Sequence, residues 1–157
     1  MKIKLILHGK TKPESIKNIL DIYTKRISSY IPFEIYVIPD LKNTKSLSKE
    51  IIKKKEAELT LKAISEKDFI VLLDEKGKTM SSKDFANYIH NHLSYSPHNI
   101  CFIIGNAYGF DKQVYDKANF LLSLSKMTYS HQIIRICFAE QLYRALTIIH
   151  GDPYHNE

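Results

Sequence analysis

The sequence predicts an α/β fold, in which a mostly parallel sheet is flanked by helices on both faces. Short apolar runs alternate with helical patterns along almost the whole chain, as in proteins built from strand–helix–strand units. The apolar runs are continuous rather than interrupted by polar residues, which is typical of parallel strands buried on both faces. At 157 residues, the chain can bury a core as a single domain, residues 1–157, without disulfides or metal.

Five strands and five helices are expected in alternating order. The apolar runs place strands at residues 3–7, 33–38, 69–73, 100–104 and 120–124. Helical patterns occupy residues 13–27, 47–64, 82–93, 111–118 and 132–149. Ser81, followed three residues later by Asp84, resembles the capping box that begins many helices. Gly151 and Pro153 prevent the last helix from continuing.

The net charge of +6 lies entirely within residues 1–78, where 17 Lys and Arg stand against 11 Asp and Glu. The densest basic group consists of Lys42, Lys45, Lys49, Lys53, Lys54 and Lys55. Lysines on one face can bind the phosphate backbone of a nucleic acid. A solvated helix face is an equal alternative, since Glu56 and Glu58 follow directly.

The composition also indicates the cellular location of the protein and the redox state of its cysteines. No apolar run approaches the length of a membrane span, and residues 1–8 are too short for a signal peptide. Cys101 and Cys137 lie in apolar runs without a partner at metal or redox spacing. We therefore expect a cytoplasmic protein with reduced thiols and no membrane partner.

Two polar loops follow neighbouring strands, at residues 105–109 and 122–131. Such loops can bind a ligand, because open α/β sheets hold ligands beyond the carboxyl ends of their strands. The glycines Gly105 and Gly109 do not have the dinucleotide-binding spacing, and no Walker, HExxH or GxSxG motif is present. Taken alone, the first loop is an ordinary strand-to-helix turn. The pair His90 and His92 would point apart on a helix, so no metal site is predicted.

The last helix carries isolated charges on a mostly apolar background. Arg135, Glu140 and Arg144 are surrounded by Ile, Phe, Leu and Tyr. Charges in such a setting must be paired or functional. Glu140 and Arg144 are four residues apart, in the order that favours a helical ion pair. Pairing at an interface is the simplest role for Arg144, and His131 can cap or pack against the helix start.

An ordered set of motifs runs along the whole chain. The set comprises residues 73–77, 102–109 and 124–131, then Arg135, residues 140–145 and residues 153–155. With these motifs the chain resembles the bacterial large-subunit rRNA pseudouridine methyltransferases of the SPOUT superfamily. The resemblance extends from Met1 to the C-terminus.

This resemblance implies a SPOUT fold with a C-terminal trefoil knot, a homodimer, and S-adenosylmethionine held bent between the knot loops. The implied cofactor contacts are Leu73, Gly105, Leu124, Ser125, Lys126, Met127, Thr128 and Tyr129. Two residues depart from the family pattern. Asn106 stands where a second glycine is usual, and Ser130 stands where proline is usual.

The implied reaction is methylation of N3 of a pseudouridine in 23S rRNA, within the assembled ribosome. His155 or Glu140 is expected to accept or relay the N3 proton, Tyr154 to orient the base, and Arg135 to meet phosphate or a base carbonyl. One alternative is a ribosome-binding protein of the same fold that has lost turnover. A SPOUT enzyme acting on tRNA is disfavoured, since no separate RNA-binding domain is expected.

Overall fold

A computed structural model describes residues 1–156 and contains a five-stranded, fully parallel sheet. The strands are β1 (Ile3–His8), β2 (Phe33–Ile38), β3 (Asp68–Thr79), β4 (Asn99–Ile104) and β5 (Phe120–Ser123), in the spatial order β2-β1-β4-β3-β5. The helices are α1 (Glu14–Ser28), α2 (Lys49–Ala63), α3 (Ser82–Tyr95), α4 (Lys112–Lys117) and α5 (Ile133–His150). The predicted α/β class and the alternating order of elements are confirmed.

Helices cover both faces of the sheet, as the continuous apolar strands predict. On one face, Leu5 and Phe102 of the strands pack with buried side chains of α1, α3 and α5. On the other face, Leu72 and Ile103 pack with Ala57 of α2 and with α4. The two layers bury the central strands on both sides, so the loops at the strand ends are what the sheet offers to a ligand.

Strand β3 is longer than the sequence predicts. It continues to Thr79, whereas the apolar run ends at Leu73. The polar stretch after Leu73 bulges out, and pairing with β5 resumes at Lys78 and Thr79. Gly77 permits this second pairing, because a Cβ at that position would lie 2.6 Å from the carbonyl carbon of Leu121. Hydropathy missed the extension because main-chain contact with β5, rather than side-chain burial, holds it.

Side-chain hydrogen bonds fix the starts of α3 and α5. The Asp84 amide donates to Ser81 Oγ at 3.1 Å, as a capping box requires, while the Ser81 hydroxyl donates to the Asp84 carboxylate at 2.8 Å. At the start of α5, the Ile133 amide donates to Ser130 Oγ at 3.2 Å. The serine that replaces the usual proline therefore supplies an acceptor to the helix that proline lacks.

Within residues 1–156, no helix is both long and apolar enough to cross a membrane. The same part of the chain holds no group of three or more His, Cys, Asp or Glu side chains placed to bind a metal. Cys101 is buried and Cys137 is half-buried, and both are free thiols.

Candidate functional site

A pocket opens where the apolar parts of three adjacent strands stop at the same level. Leu73 of β3 is in register with Ile104 of β4 on one side and with Leu122 of β5 on the other. Beyond these residues the loops diverge and leave a cavity of 470 Å³, here called the strand-end pocket. This volume lies in the range of small-molecule sites, about 300–1,000 Å³.

Most of the cofactor contacts implied by the family line this pocket. The lining includes Leu73, Gly105, Leu124, Met127, Thr128 and Tyr129. Ser125 and Lys126 belong to the same loop but not to the lining. Ser125 shapes the loop instead, since its Oγ accepts from the Met127 amide at 3.0 Å and its carbonyl accepts from the Ser123 hydroxyl at 2.8 Å.

Two carboxylates at the pocket are held by hydroxyl groups from distant parts of the chain. Tyr115 of α4 donates to Asp74, and burial together with this bond raises the pKa of the Tyr115 hydroxyl. Thr128 donates to Glu75 at 2.8 Å and so ties the loop after β5 to the bulge of β3. Sequence reasoning missed Asp74, Glu75 and Tyr115. The two acidic residues directly follow Leu73 and could have been found there, whereas nothing in the sequence marks Tyr115.

Gly105 makes room for the ring of Phe110 at the wall of the pocket. A Cβ at this position would lie 3.0 Å from the ring of Phe110, which folds back beneath the loop. Nearby, His131 also lines the pocket, and burial and the charge of Arg135 lower the pKa of its imidazole. The His131 ring is therefore mostly neutral at neutral pH.

Glu140, Tyr154 and His155, which are predicted to act on the substrate, lie together with Arg144 in a second group, here called the tail cluster. Arg144 donates to Glu140 Oε1 at 2.5 Å and pairs with His155 Nδ1 at 3.2 Å. The Tyr154 hydroxyl donates to the same Glu140 oxygen at 3.1 Å. The helical ion pair that the spacing of Glu140 and Arg144 predicts is present.

Side chains of α1, of α5 and of the residue Tyr30 hold the tail, which is the segment that follows α5. The Tyr154 ring lies 4.7 Å from the Tyr143 ring and 4.8 Å from the guanidinium of Arg144. Tyr30 donates to Asp152, just after the end of α5. Burial, the bond to Tyr23 and the charge of Glu140 raise the pKa of the Tyr154 hydroxyl. The tail is therefore docked, and Tyr154 is protonated at neutral pH.

Arg135 lies apart from both groups and is only 1% exposed. Its guanidinium donates to the carbonyls of His8, Gly9 and His131 and to the hydroxyl of Thr11, at 2.6–3.1 Å. These bonds join the end of β1 to the start of α5. The structure thus places Arg135 in a buried joint between β1 and α5. The guanidinium would have to leave these partners to make the predicted contact with phosphate or a base carbonyl.

A wall separates the strand-end pocket from the tail cluster. Leu122, Leu124, Tyr129 and Ile134 line the pocket on one side and a second cavity of 530 Å³ on the other. This second cavity, here called the helix groove, is lined mainly by apolar residues of α1, α3 and α5, with Glu140 at its edge. Within this chain, Glu140 therefore faces the groove and not the strand-end pocket.

The amino-acid sequence matches known proteins along nearly its whole length. Residues 1–155 match the family model described as a predicted SPOUT methyltransferase. The chain belongs to the SPOUT methyltransferase family. It is 48% identical over 157 residues to the "Ribosomal RNA large subunit methyltransferase H" of Parabacteroides distasonis, covering 100% of both chains. It is 47% identical over 156 residues to the protein of the same name from Christiangramia forsetii, covering 99% of both.

The fold is also similar to that of a solved structure. A probable methyltransferase from Bordetella pertussis Tohama I superposes with a TM-score of 0.58, covering 92% of this chain and 94% of that one. At 10% sequence identity, this likeness concerns the fold alone.

Proposed function

We propose that this protein methylates N3 of a pseudouridine in 23S rRNA of the large ribosomal subunit, with S-adenosylmethionine as the methyl donor. The observation that carries the proposal is the full-length identity of 48% to a relative named as a large-subunit rRNA methyltransferase. The location of six implied cofactor contacts around one pocket supports it.

The strand-end pocket fits the cofactor in size and in chemistry. Its volume of 470 Å³ suits a nucleoside with an amino-acid arm. Main-chain groups near Gly105 and Leu124 can bind adenine and ribose, which explains the absence of a dinucleotide fingerprint. The carboxylates of Asp74 and Glu75 would lie near the positive charges of the cofactor. When bound, S-adenosylmethionine supplies an electrophilic methyl group.

The protein must then align the acceptor and receive a proton. N3–H of a uracil-type ring is a weak acid, and N3 becomes a good nucleophile as the proton leaves. In the tail cluster, Glu140 or His155 accepts or relays this proton. Tyr154, protonated and fixed by the ring of Tyr143, orients the base.

The proposal includes a homodimer, because within one chain the wall separates the tail cluster from the strand-end pocket. The helix groove is the apolar surface on which a second copy would pack through α5. The partner would also add its basic N-terminal half to a surface for one RNA hairpin. The trefoil knot and a cytoplasmic location belong to the same proposal.

Methyl transfer to defined RNA tests the proposal. The protein is incubated with labelled S-adenosylmethionine, ribosomes that lack the modification, and tRNA. Label in 23S rRNA at the N3 of one pseudouridine is the expected result. Label only in tRNA indicates a SPOUT enzyme of different specificity, and no label indicates a ribosome-binding protein without turnover. If His155→Ala and Glu140→Ala both methylate at the parent rate, the tail cluster does not handle the proton.

A further inference from the structure

The loop after β4 displays one aromatic side chain to solvent. The Gly109 amide donates to the Asn106 carbonyl at 3.0 Å, and Gly109 has a φ of +75° that closes this tight turn. Phe110 is buried directly beyond the turn. Tyr108, at the third position of the turn, is instead 46% exposed. Because the buried Phe110 anchors the loop, Tyr108 is exposed from a segment that is held in place.

A second anchor ties the loop to the basic helix α2. The side-chain amide of Asn106 donates to Glu56 Oε1 at 3.1 Å. Glu56 is half-buried, and burial raises the pKa of its carboxyl group. About two turns earlier on the same face of α2, Lys49 Nζ lies 5.2 Å from the centre of the Tyr108 ring. The asparagine that replaces the usual glycine thus keeps an aromatic ring and an ammonium group side by side.

Tyr108 stands on the rim of the strand-end pocket, on the side opposite the cofactor loop. Met127 and Tyr129 of that loop are also exposed, at 74% and 45%. Because β3 lies between β4 and β5, the loop of Tyr108 and the loop of Met127 flank the pocket. Large apolar groups that remain exposed around a pocket mark a surface for a ligand. Two lysines of α2 belong to that surface, Lys49 beside Tyr108 and Lys53 in the lining of the pocket.

We propose that Tyr108 stacks on a base of the substrate RNA next to the methylated nucleotide, and that Lys49 binds a phosphate beside that base. This inference rests on the proposed function and names its RNA-contacting residues. Every base presents a flat face that an aromatic ring can stack on, and a lysine contacts phosphate without reading sequence. The pair therefore positions the RNA strand over the pocket mouth, while other groups or the ribosome itself supply specificity.

The test separates binding of RNA from binding of the cofactor. Tyr108→Ala, Tyr108→Phe and Lys49→Gln are assayed for equilibrium binding to ribosomes that lack the modification, and for binding of S-adenosylhomocysteine by calorimetry. We expect Tyr108→Ala to weaken ribosome binding about tenfold and Tyr108→Phe to retain it, because the stacking ring remains. Lys49→Gln should weaken binding uniformly and reduce the salt dependence by about one phosphate contact. Binding of S-adenosylhomocysteine should stay unchanged in all three.

Matched controls lie at the ends of α2 and α3 that lead into the amino ends of β3 and β4, away from the pocket. Tyr95 is 83% exposed at the end of α3, and Lys62 is exposed in the last turn of α2. Tyr95→Ala and Lys62→Gln should leave ribosome binding unchanged. The proposal is overturned if Tyr108→Ala binds ribosomes as the parent does, or if it loses S-adenosylhomocysteine to the same degree, which would make Tyr108 a cofactor lid. Ribosome binding requires no turnover. If the methylation assay fails, the binding assay therefore still shows whether Tyr108 and Lys49 contact RNA.

Discussion

Two arginines of one helix have opposite surroundings. Arg135, at the start of α5, is buried and donates to main-chain carbonyls and one hydroxyl. Arg144, nine residues later, is partly exposed and holds a carboxylate and an imidazole of the tail cluster. The first arginine therefore joins elements of the fold, while the second arranges groups that can exchange a proton.

The difference shows how to separate structural charge from functional charge on an apolar helix. A guanidinium that is buried and directs four of its five N–H groups to carbonyls and a hydroxyl of its own chain is not available to a ligand. A guanidinium that is paired with titratable groups at a surface fixes their geometry and leaves them accessible. In the sequence both arginines are cations among apolar neighbours, and only the spacing of Arg144 from Glu140 indicates a partner.

Removal of each arginine should lower the free energy of unfolding by very different amounts. Arg135→Met leaves several buried carbonyls without a donor, so we expect the free energy of unfolding to fall by about 3–5 kcal/mol. Arg144→Met should cost about 1 kcal/mol, since its ion pair is partly exposed. Urea denaturation with an unchanged m-value measures both. Equal losses in the two variants would show that the two ends of α5 do not differ in this way.

The fold was largely predictable, and this buried joint was not. The strands that contain Leu5, Phe102 and Val71 follow from local apolar runs, and the alternation of elements decides the class. Arg135 contacts the end of β1, which lies more than 120 residues earlier in the chain. No local pattern reveals such a long-range contact. For the same reason, the loop contacts around the pocket could be inferred by resemblance, whereas the bond between Tyr115 and Asp74 could not.

The joint should also make stability depend on pH. Burial and the charge of Arg135 lower the pKa of His8 to about 4, so this ring is neutral in the folded protein while its unfolded form titrates near 6.5. Between those values the unfolded chain binds the additional proton, and stability falls as the pH falls, by at most about 3 kcal/mol. His8→Gln should flatten this part of a pH series of unfolding curves. An unchanged slope in the variant would assign the acid sensitivity to other groups.

In the tail cluster, Glu140→Gln should affect turnover more than stability. It keeps the shape of the side chain but removes the carboxylate that Arg144 and Tyr154 share. We expect the single-turnover rate of methylation to fall about a hundredfold, as for loss of a general base or its partner. The Kd for S-adenosylhomocysteine should not change, because Glu140 lies beyond the pocket wall.

Glu58→Gln, on the exposed face of α2, is the matched control and should methylate at the parent rate. If Glu140→Gln also loses S-adenosylhomocysteine, the tail cluster helps to shape the strand-end pocket. The contrast between a structural Arg135 and a functional Arg144 would then fail.

The smallest expected effect concerns Ser130, at the entrance to α5. Its Oγ accepts from the Ile133 amide, so Ser130→Ala should lower the free energy of unfolding by about 1 kcal/mol. Ser130→Pro also removes this acceptor but restricts the unfolded chain, and it should cost less than the alanine variant. Thermal unfolding of both variants measures the difference. If the alanine variant is as stable as the parent, the Ser130 hydroxyl contributes nothing to the start of α5, and if alanine and proline cost the same, proline gains nothing there by restricting the unfolded chain.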